Sequence, residues 1–261
     1  MVEPLLELRG VNKSFGVVHV LHDVDFAVYP GQVTALVGDN GAGKSTLVKT
    51  IAGINSPDEG EIRWEGNPVR MSGPTSATDL GIATVYQDLA LCDNLDVVGN
   101  LFLGRETTAP TRLLSETAME RESAGVLKRL SVRIPSVRTQ IASLSGGQRQ
   151  SVAIARSMLG HPKMVMLDEP TAALGVEQTA QVLELIRTLR EQGLAVVVIS
   201  HNMGDVLSVA DRIVVLRLGR SVAVLDAKKT NSDELIAAIT GSREREEAEA
   251  KAAAGNKEVA S

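Results

Sequence analysis

Nine residues constrain this chain more than any others: Gly38-Asp39-Asn40-Gly41-Ala42-Gly43-Lys44-Ser45-Thr46, a match to GxxxxGK[ST]. The run Val33-Thr34-Ala35-Leu36-Val37 precedes them, and Leu47-Val48-Lys49-Thr50-Ile51-Ala52 follows and stops at Gly53. A β-branched run, a glycine-rich turn and a segment with helical spacing predict strand, loop and helix, the context a phosphate-binding P-loop requires. Gly38, Gly41 and Gly43 let the backbone reach positive φ and approach a ligand. Successive N–H groups from Gly38 to Thr46, those of Asn40 and Ala42 included, then converge on phosphate oxygens at the positive end of the helix. Lys44 supplies a point charge to β- and γ-phosphates and Ser45 a hydroxyl to Mg²⁺. The implied ligand is a nucleoside triphosphate.

The remaining composition permits a large globular core. Of 261 residues, 44% are hydrophobic and 23% charged, ordinary values for a chain long enough to bury one. The longest apolar run, Leu194 to Ile199, is far short of the ~18 residues of a spanning helix. Met1-Val2-Glu3-Pro4 lacks a basic region ahead of an apolar stretch, so secretion is not expected. The single cysteine, Cys92, has no partner for an internal disulfide, which fits a reducing compartment. A net charge of −5 and only six aromatics argue against a nucleic-acid partner, which needs basic footprints or stacking platforms.

Residues 5–30 and Gly60 to Gly66 alternate apolar and polar side chains, the pattern of half-exposed antiparallel strands flanking the P-loop unit. Trp64 reads as a packing residue, and Phe15 as a ring placed to stack on adenine. From Leu89 to Ser145 the spacing turns helical, notably over Ser115 to Val132. Continuous apolar strands return at Met164 to Leu167, Leu194 to Ile199 and Ile213 to Leu216, separated by helical stretches such as Val176 to Glu191. Runs apolar on both faces belong to parallel strands covered by helices on either side. The expected class is α/β with a helical insertion.

Three further stretches carry chemistry. Met164 to Leu167 leads into Asp168-Glu169-Pro170; Asp168 suits Mg²⁺ binding through water, and Glu169 suits orienting or deprotonating an attacking water. The run ending at Ile199 is followed by Ser200-His201, where an imidazole can reach a γ-phosphate. Leu144-Ser145-Gly146-Gly147-Gln148 precedes a helical segment that stops at Gly160-His161-Pro162. Ser145 as N-cap with two flexible glycines makes a second anion-seeking helix start.

In this order the motifs resemble the nucleotide-binding subunit of ATP-binding cassette transporters: Gly38 to Thr46 as Walker A, Gln87 in Val85-Tyr86-Gln87-Asp88 as the Q-loop glutamine, Leu144 to Gln148 as the LSGGQ signature, Met164 to Glu169 as Walker B and His201 as the switch histidine. The resemblance implies a RecA-like P-loop NTPase core with an antiparallel β-subdomain and an inserted helical subdomain at about 89–158, within a domain of residues 1–241. Residues 242–261 are expected to form a charged, Ala/Glu-rich, disordered tail. It implies ATP and Mg²⁺, with Ser45, Gln87 and Asp168 at the metal and Glu169, His201 and Gln87 in hydrolysis. It also implies a homodimer, each ATP lying between Lys44 of one copy and Ser145, Gly146, Gly147 and Gln148 of the other. Implied partners are transmembrane permease subunits and, indirectly, a solute-binding protein, at the cytoplasmic face of a bacterial membrane.

One departure stands out. The family's D-loop aspartate position is Gly175, in Thr171-Ala172-Ala173-Leu174-Gly175. The phrases Tyr86 to Leu91, Asn94 to Val98, Asn100 to Gly104 and Thr171 to Val176 look like ATPases of ribose, xylose and fructose importers. Most of that group fuse two cassettes, whereas this chain carries one, like the fructose-type members. An importer for branched-chain amino acids or another small solute, or a soluble cassette ATPase, stays open.

Overall fold

The computed structural model describes residues 3–108 and 113–242. The tail expected beyond residue 242 lies outside the described residues. In chain order the elements are β1 (Leu6–Phe15), β2 (Val18–Val28), β3 (Val33–Val37), α1 (Lys44–Ile51), β4 (Glu59–Trp64), β5 (Asn67–Val69), α2 (Pro74–Asp79), β6 (Ile82–Val85) and α3 (Val97–Phe102). There follow α4 (Glu116–Arg129), α5 (Gly146–Met158), β7 (Met164–Asp168), α6 (Val176–Glu191), β8 (Ala195–Ile199), α7 (Met203–Val209), β9 (Arg212–Arg217), β10 (Arg220–Asp226) and α8 (Ser232–Thr240).

Two sheets result. The first is antiparallel in the order β2-β1-β4-β5; the second runs β10-β9-β3-β8-β7-β6, parallel from β9 to β6 with β10 antiparallel at its edge. Alternation within the parallel strands explains why their sequences are apolar throughout. Val33, Ala35 and Val37, Val165 and Leu167, and Val196 and Val198 face a core shared with α3, α4, α5 and α6. Leu36, Met164 and Met166, and Val197 and Ile199 face a second core, shared with α1 and the antiparallel sheet. Each face has its own cover, so neither set of alternate positions can be polar.

The helical part is anchored to this frame by one cation. Arg138 reaches Asp96 at 3.3 Å, Glu116 at 3.1 Å and Glu120 at 3.3 Å. It thereby ties the N-cap of α3 to the first turn of α4. The expected helix at Ser115 to Val132 is shorter, ending at Arg129 because Ser131 takes a left-handed φ of 55°. Gly125 is accommodated within it. The expectation of half-exposed strands is met by β1, whose Leu6, Leu8 and Val11 are buried while Arg9 is exposed. Trp64 packs in the second core as expected.

Candidate active site

Parallel strands share a direction, so their carboxyl ends line one edge, where ligands of open α/β sheets bind. Register fixes the alignment: Val85 opposes Leu167, Asp168 opposes Ile199, Leu36 opposes Ile199 and Val37 opposes Val215. The loops leaving that edge carry Gly38 to Gly43 after β3, Gln87 after β6, Glu169 after β7 and His201 after β8. Four motifs spread over more than 160 residues of sequence thus meet at one rim.

The P-loop is built for close approach. Gly38 has φ 151°, and a Cβ there would run into the carbonyl of Leu216. Gly43 has φ 102° as the N-cap of α1, and a Cβ would stand 2.9 Å from Leu21 Cδ2. No side chain caps α1, so its first-turn N–H groups point outward as an anion cradle. Asn40, Gly41 and Ser45 are exposed, Thr46 is half-buried and Ala42 is buried. The Ala42 carbonyl accepts the Gly219 N–H at 3.0 Å, fastening the loop to the β9–β10 turn.

Lys44 folds over this loop, its ammonium donating to the carbonyls of Gly38 at 2.7 Å and Asp39 at 3.0 Å. Burial pulls its pKa down, opposed by Glu169, Asp39 and Asp168. Asp168 shows the converse: burial and then Glu169 push its carboxyl up, opposed by Lys44 and Lys49. Lysine and both carboxylates therefore feel one another's charge. A triphosphate and a divalent cation would relieve both penalties, supplying anions to the lysine and a cation to the carboxylates.

Glu169 occupies a strained position. Its φ is 50°, its N–H donates to the Ile199 carbonyl at 2.9 Å, and its Oε1 lies 2.9 Å from His201 Nδ1. The Glu169 side chain is 16% exposed and that of His201 73%, so the imidazole shields the carboxylate while staying open to a ligand. Gln87 is exposed just past β6. Its neighbour Tyr86 lies close enough to Asp168 for that charge, after burial, to raise the phenol pKa.

Phe15 closes β1, pairing with Val18, and is 48% exposed with the Lys13 ammonium 5.5 Å from its ring centroid. Cys92 is half-buried, as its sequence context suggests.

The second helix start departs from expectation in one respect. Ser145 caps α5 as predicted: its Oγ accepts the Gln148 N–H at 3.3 Å, while Gln148 Oε1 accepts the Ser145 N–H at 3.0 Å. This is a capping box. Gly146 and Gly147, expected to be flexible, are instead ordinary first-turn helical residues. Their smallness serves packing, since a Cβ on Gly146 would meet Leu174 at 3.0 Å and one on Gly147 would meet Gln178 at 2.9 Å. Gln148 also donates to the Arg133 carbonyl at 3.3 Å. Among the described residues, no hydrogen bond or ion pair joins residues 144–148 to residues 38–46.

Two residues at this rim escaped sequence reasoning: Thr171, which donates to Asp205 at 2.7 Å, and Asp205 itself, in the first turn of α7. Neither belongs to a short motif; only their spacing from Glu169 and His201 could have marked them.

Comparison with known proteins agrees with this geometry. The ABC transporter family profile matches residues 21–172. The chain is 46% identical to the fructose import ATP-binding protein FrcA of Rhizobium meliloti over 93% of this chain and 96% of that one. It is 46% identical to the xylose/arabinose import ATP-binding protein XylG of Sulfolobus acidocaldarius, over 90% and 94%. A ribose import ATP-binding protein of Rhizobium etli is 39% identical over 92% of this chain but only 47% of its own length. Among solved structures, a dimeric post-hydrolysis ATP-binding cassette bound to ADP and phosphate superposes with a TM-score of 0.70 at 25% identity, covering 86% of this chain and 100% of that one.

Proposed function

This chain belongs to the ABC transporter family of ATPases, and from that premise we propose that it hydrolyses ATP between two copies of itself to power monosaccharide import through a separate membrane permease. The observation that carries the proposal is the common rim of P-loop, Glu169 and His201, with the 2.9 Å contact between the last two. The sugar assignment is supported by relatives named for fructose and for xylose/arabinose import that align along nearly their whole length.

Within one site, Lys44 and the α1 N-terminus hold the phosphates. Glu169 accepts the proton of the attacking water, and His201 fixes that carboxylate and presents its remaining nitrogen to the γ-phosphate. Ser45, Asp168 and Gln87 offer hydroxyl, carboxylate and amide oxygens, the hard donors that suit Mg²⁺. Mg²⁺, when bound, neutralises charge on the β- and γ-phosphates. Phe15 supplies a ring face for adenine. The capped start of α5, with Ser145 and Gly147, addresses the γ-phosphate held by the opposite copy, and in this way each ATP joins two chains.

Among the described residues no helix is long and apolar enough to cross a membrane. We place the chain at the cytoplasmic face, held there by its permease. The contact falls beside Gln87, where Tyr86, Asp88, Leu89, Arg105 and Arg156 line a cavity of 280 Å³. Arg156 on α5 donates to the carbonyls of Leu89 at 3.1 Å and Ala90 at 2.8 Å. Motion of the signature helix thereby reaches the segment after Gln87. The test is uptake: in cells carrying the permease, Lys44→Ala and Glu169→Gln should each abolish accumulation of labelled sugar, and undiminished uptake would refute the proposal.

A further inference from the structure

Between Glu169 and the start of α6 the chain makes a turn closed by two backbone hydrogen bonds, Ala172 N–H to the Glu169 carbonyl at 3.1 Å and Leu174 N–H to the Thr171 carbonyl at 3.4 Å. It contains two non-glycine residues with left-handed backbone, Glu169 at φ 50° and Ala173 at φ 59°. Each costs on the order of 1–2 kcal/mol and persists only where surrounding structure enforces it.

The enforcement comes from one side. Among the described residues the turn has two side-chain hydrogen bonds, and both go to the stretch 201–205 after β8. One is Glu169 with His201; the other is Thr171 Oγ1 donating to Asp205 Oδ2 at 2.7 Å. That stretch is itself held. Asn202 Oδ1 accepts the N–H groups of Gly204 at 3.0 Å and Asp205 at 3.2 Å, and the Asn202 N–H donates to Ser200 Oγ at 3.0 Å. At the far end of the turn Gly175 has no side chain to contribute, and the space around its Cβ position is open.

We propose that Thr171 and Asp205 are positioning residues for hydrolysis: their hydrogen bond locks the turn bearing Glu169 against the loop bearing His201, so that the carboxylate meets the attacking water in line with the γ-phosphate. The inference rests on the reading of Glu169 as the group that activates water. A carboxylate acceptor makes this bond stronger than a neutral one. Its geometry also leaves Glu169 free, because the lock lies two residues beyond it. Without the bond the turn keeps its backbone contacts but loses one of its two side-chain attachments, and Glu169 wanders relative to the phosphate.

The experiment measures steady-state MgATP hydrolysis, binding of a fluorescent ATP analogue and thermal melting for the full chain. The variants are Thr171→Val, which keeps shape and removes the hydroxyl, Asp205→Ala, the double variant, Thr171→Ser and Glu169→Gln. Thr171→Val and Asp205→Ala should each lower kcat about tenfold with KM and analogue affinity within about twofold of wild type. The double variant should fall no further than either single change, and Thr171→Ser should recover most of the wild-type rate. Wild-type kcat in Thr171→Val, losses that add in the double variant, Thr171→Ser as slow as Thr171→Val, or a rate deficit that disappears well below the melting point would each overturn the proposal. If Glu169→Gln is inactive while the Thr171 and Asp205 variants are normal, the lock alone is refuted. If Glu169→Gln retains turnover, the underlying role of Glu169 falls instead.

Discussion

His201 Nδ1 lies 2.9 Å from Glu169 Oε1, although the two residues belong to different strands' loops and the imidazole is largely exposed. The parallel pairing of β7 with β8, which sets Asp168 opposite Ile199, brings them together. The contact divides two tasks: a buried carboxylate handles the water proton and an exposed ring handles the phosphate. Glu169→Gln keeps the hydrogen-bonding shape but loses the base, so kcat should drop by about 10²–10⁴ while ATP affinity holds. His201→Ala should cost less, about 10–10²-fold, because Glu169 keeps its backbone tether to Ile199. Phosphate-release kinetics with parallel nucleotide-binding measurements check both.

Asp168 makes an opposite prediction for stability and for function. Burial and the neighbouring Glu169 raise its pKa above the ordinary 3.8. The folded state therefore holds this proton more readily than the unfolded state. Ionised Asp168 is a liability above its folded pKa, and stability is gained as pH falls from there toward 3.8. Asp168→Asn should accordingly raise the melting temperature at neutral pH, and flatten its rise on mild acidification, while abolishing Mg²⁺-dependent hydrolysis. Melting scans across pH without nucleotide, set beside Mg²⁺ titrations of activity, measure the two effects separately.

At the signature helix, cap and packing can be pulled apart by two substitutions. Ser145→Ala removes the capping-box acceptor, a loss of about 1 kcal/mol, or about 2–4 °C of melting temperature in a chain this long. Gly147→Ala leaves the cap intact but drives a methyl group against Gln178 of α6, and overpacking of this kind costs about 1–3 kcal/mol. Both should weaken ATP-driven association of two copies, whereas nucleotide binding by a single copy is unchanged. Calorimetry together with sedimentation in ATP distinguishes them.

Gly175 is the N-cap of α6 in an extended conformation, φ −73° and ψ 166°, with no side-chain cap. An aspartate fits that backbone and the open space around it. Gly175→Asp should stabilise the fold by a few tenths of a kcal/mol through capping, with about 0.3–1 kcal/mol more from the helix dipole. A small rise in melting temperature is the expected reading.

What was legible in the sequence follows a physical division. Val33 to Val37, Met164 to Leu167 and Val176 to Glu191 could be read because each run must bury one or both faces, and the structure places β3, β7 and α6 there. The short strand β6 and the edge strand β10 were not read. Four residues carry little periodicity, and β10 has one exposed face, with burial mixed along its length. Ser145 was readable because N-cap chemistry is local. The packing role of Gly146 and Gly147 was not, because it depends on Leu174 and Gln178, about thirty residues away in another element. Thr171 and Asp205 stayed hidden for the same reason: a hydrogen bond across two loops leaves no local pattern.

The account as a whole requires the P-loop of one copy to face the signature helix of another. A cysteine pair, Asn40→Cys in the exposed P-loop and Ser145→Cys at the α5 cap, placed in a Cys92→Ser, Glu169→Gln background, tests this with a short bis-maleimide crosslinker. ATP should produce a crosslinked dimer on a denaturing gel, with little in ADP or without nucleotide. Crosslinking that is confined to single chains, or equal in all three conditions, would contradict it.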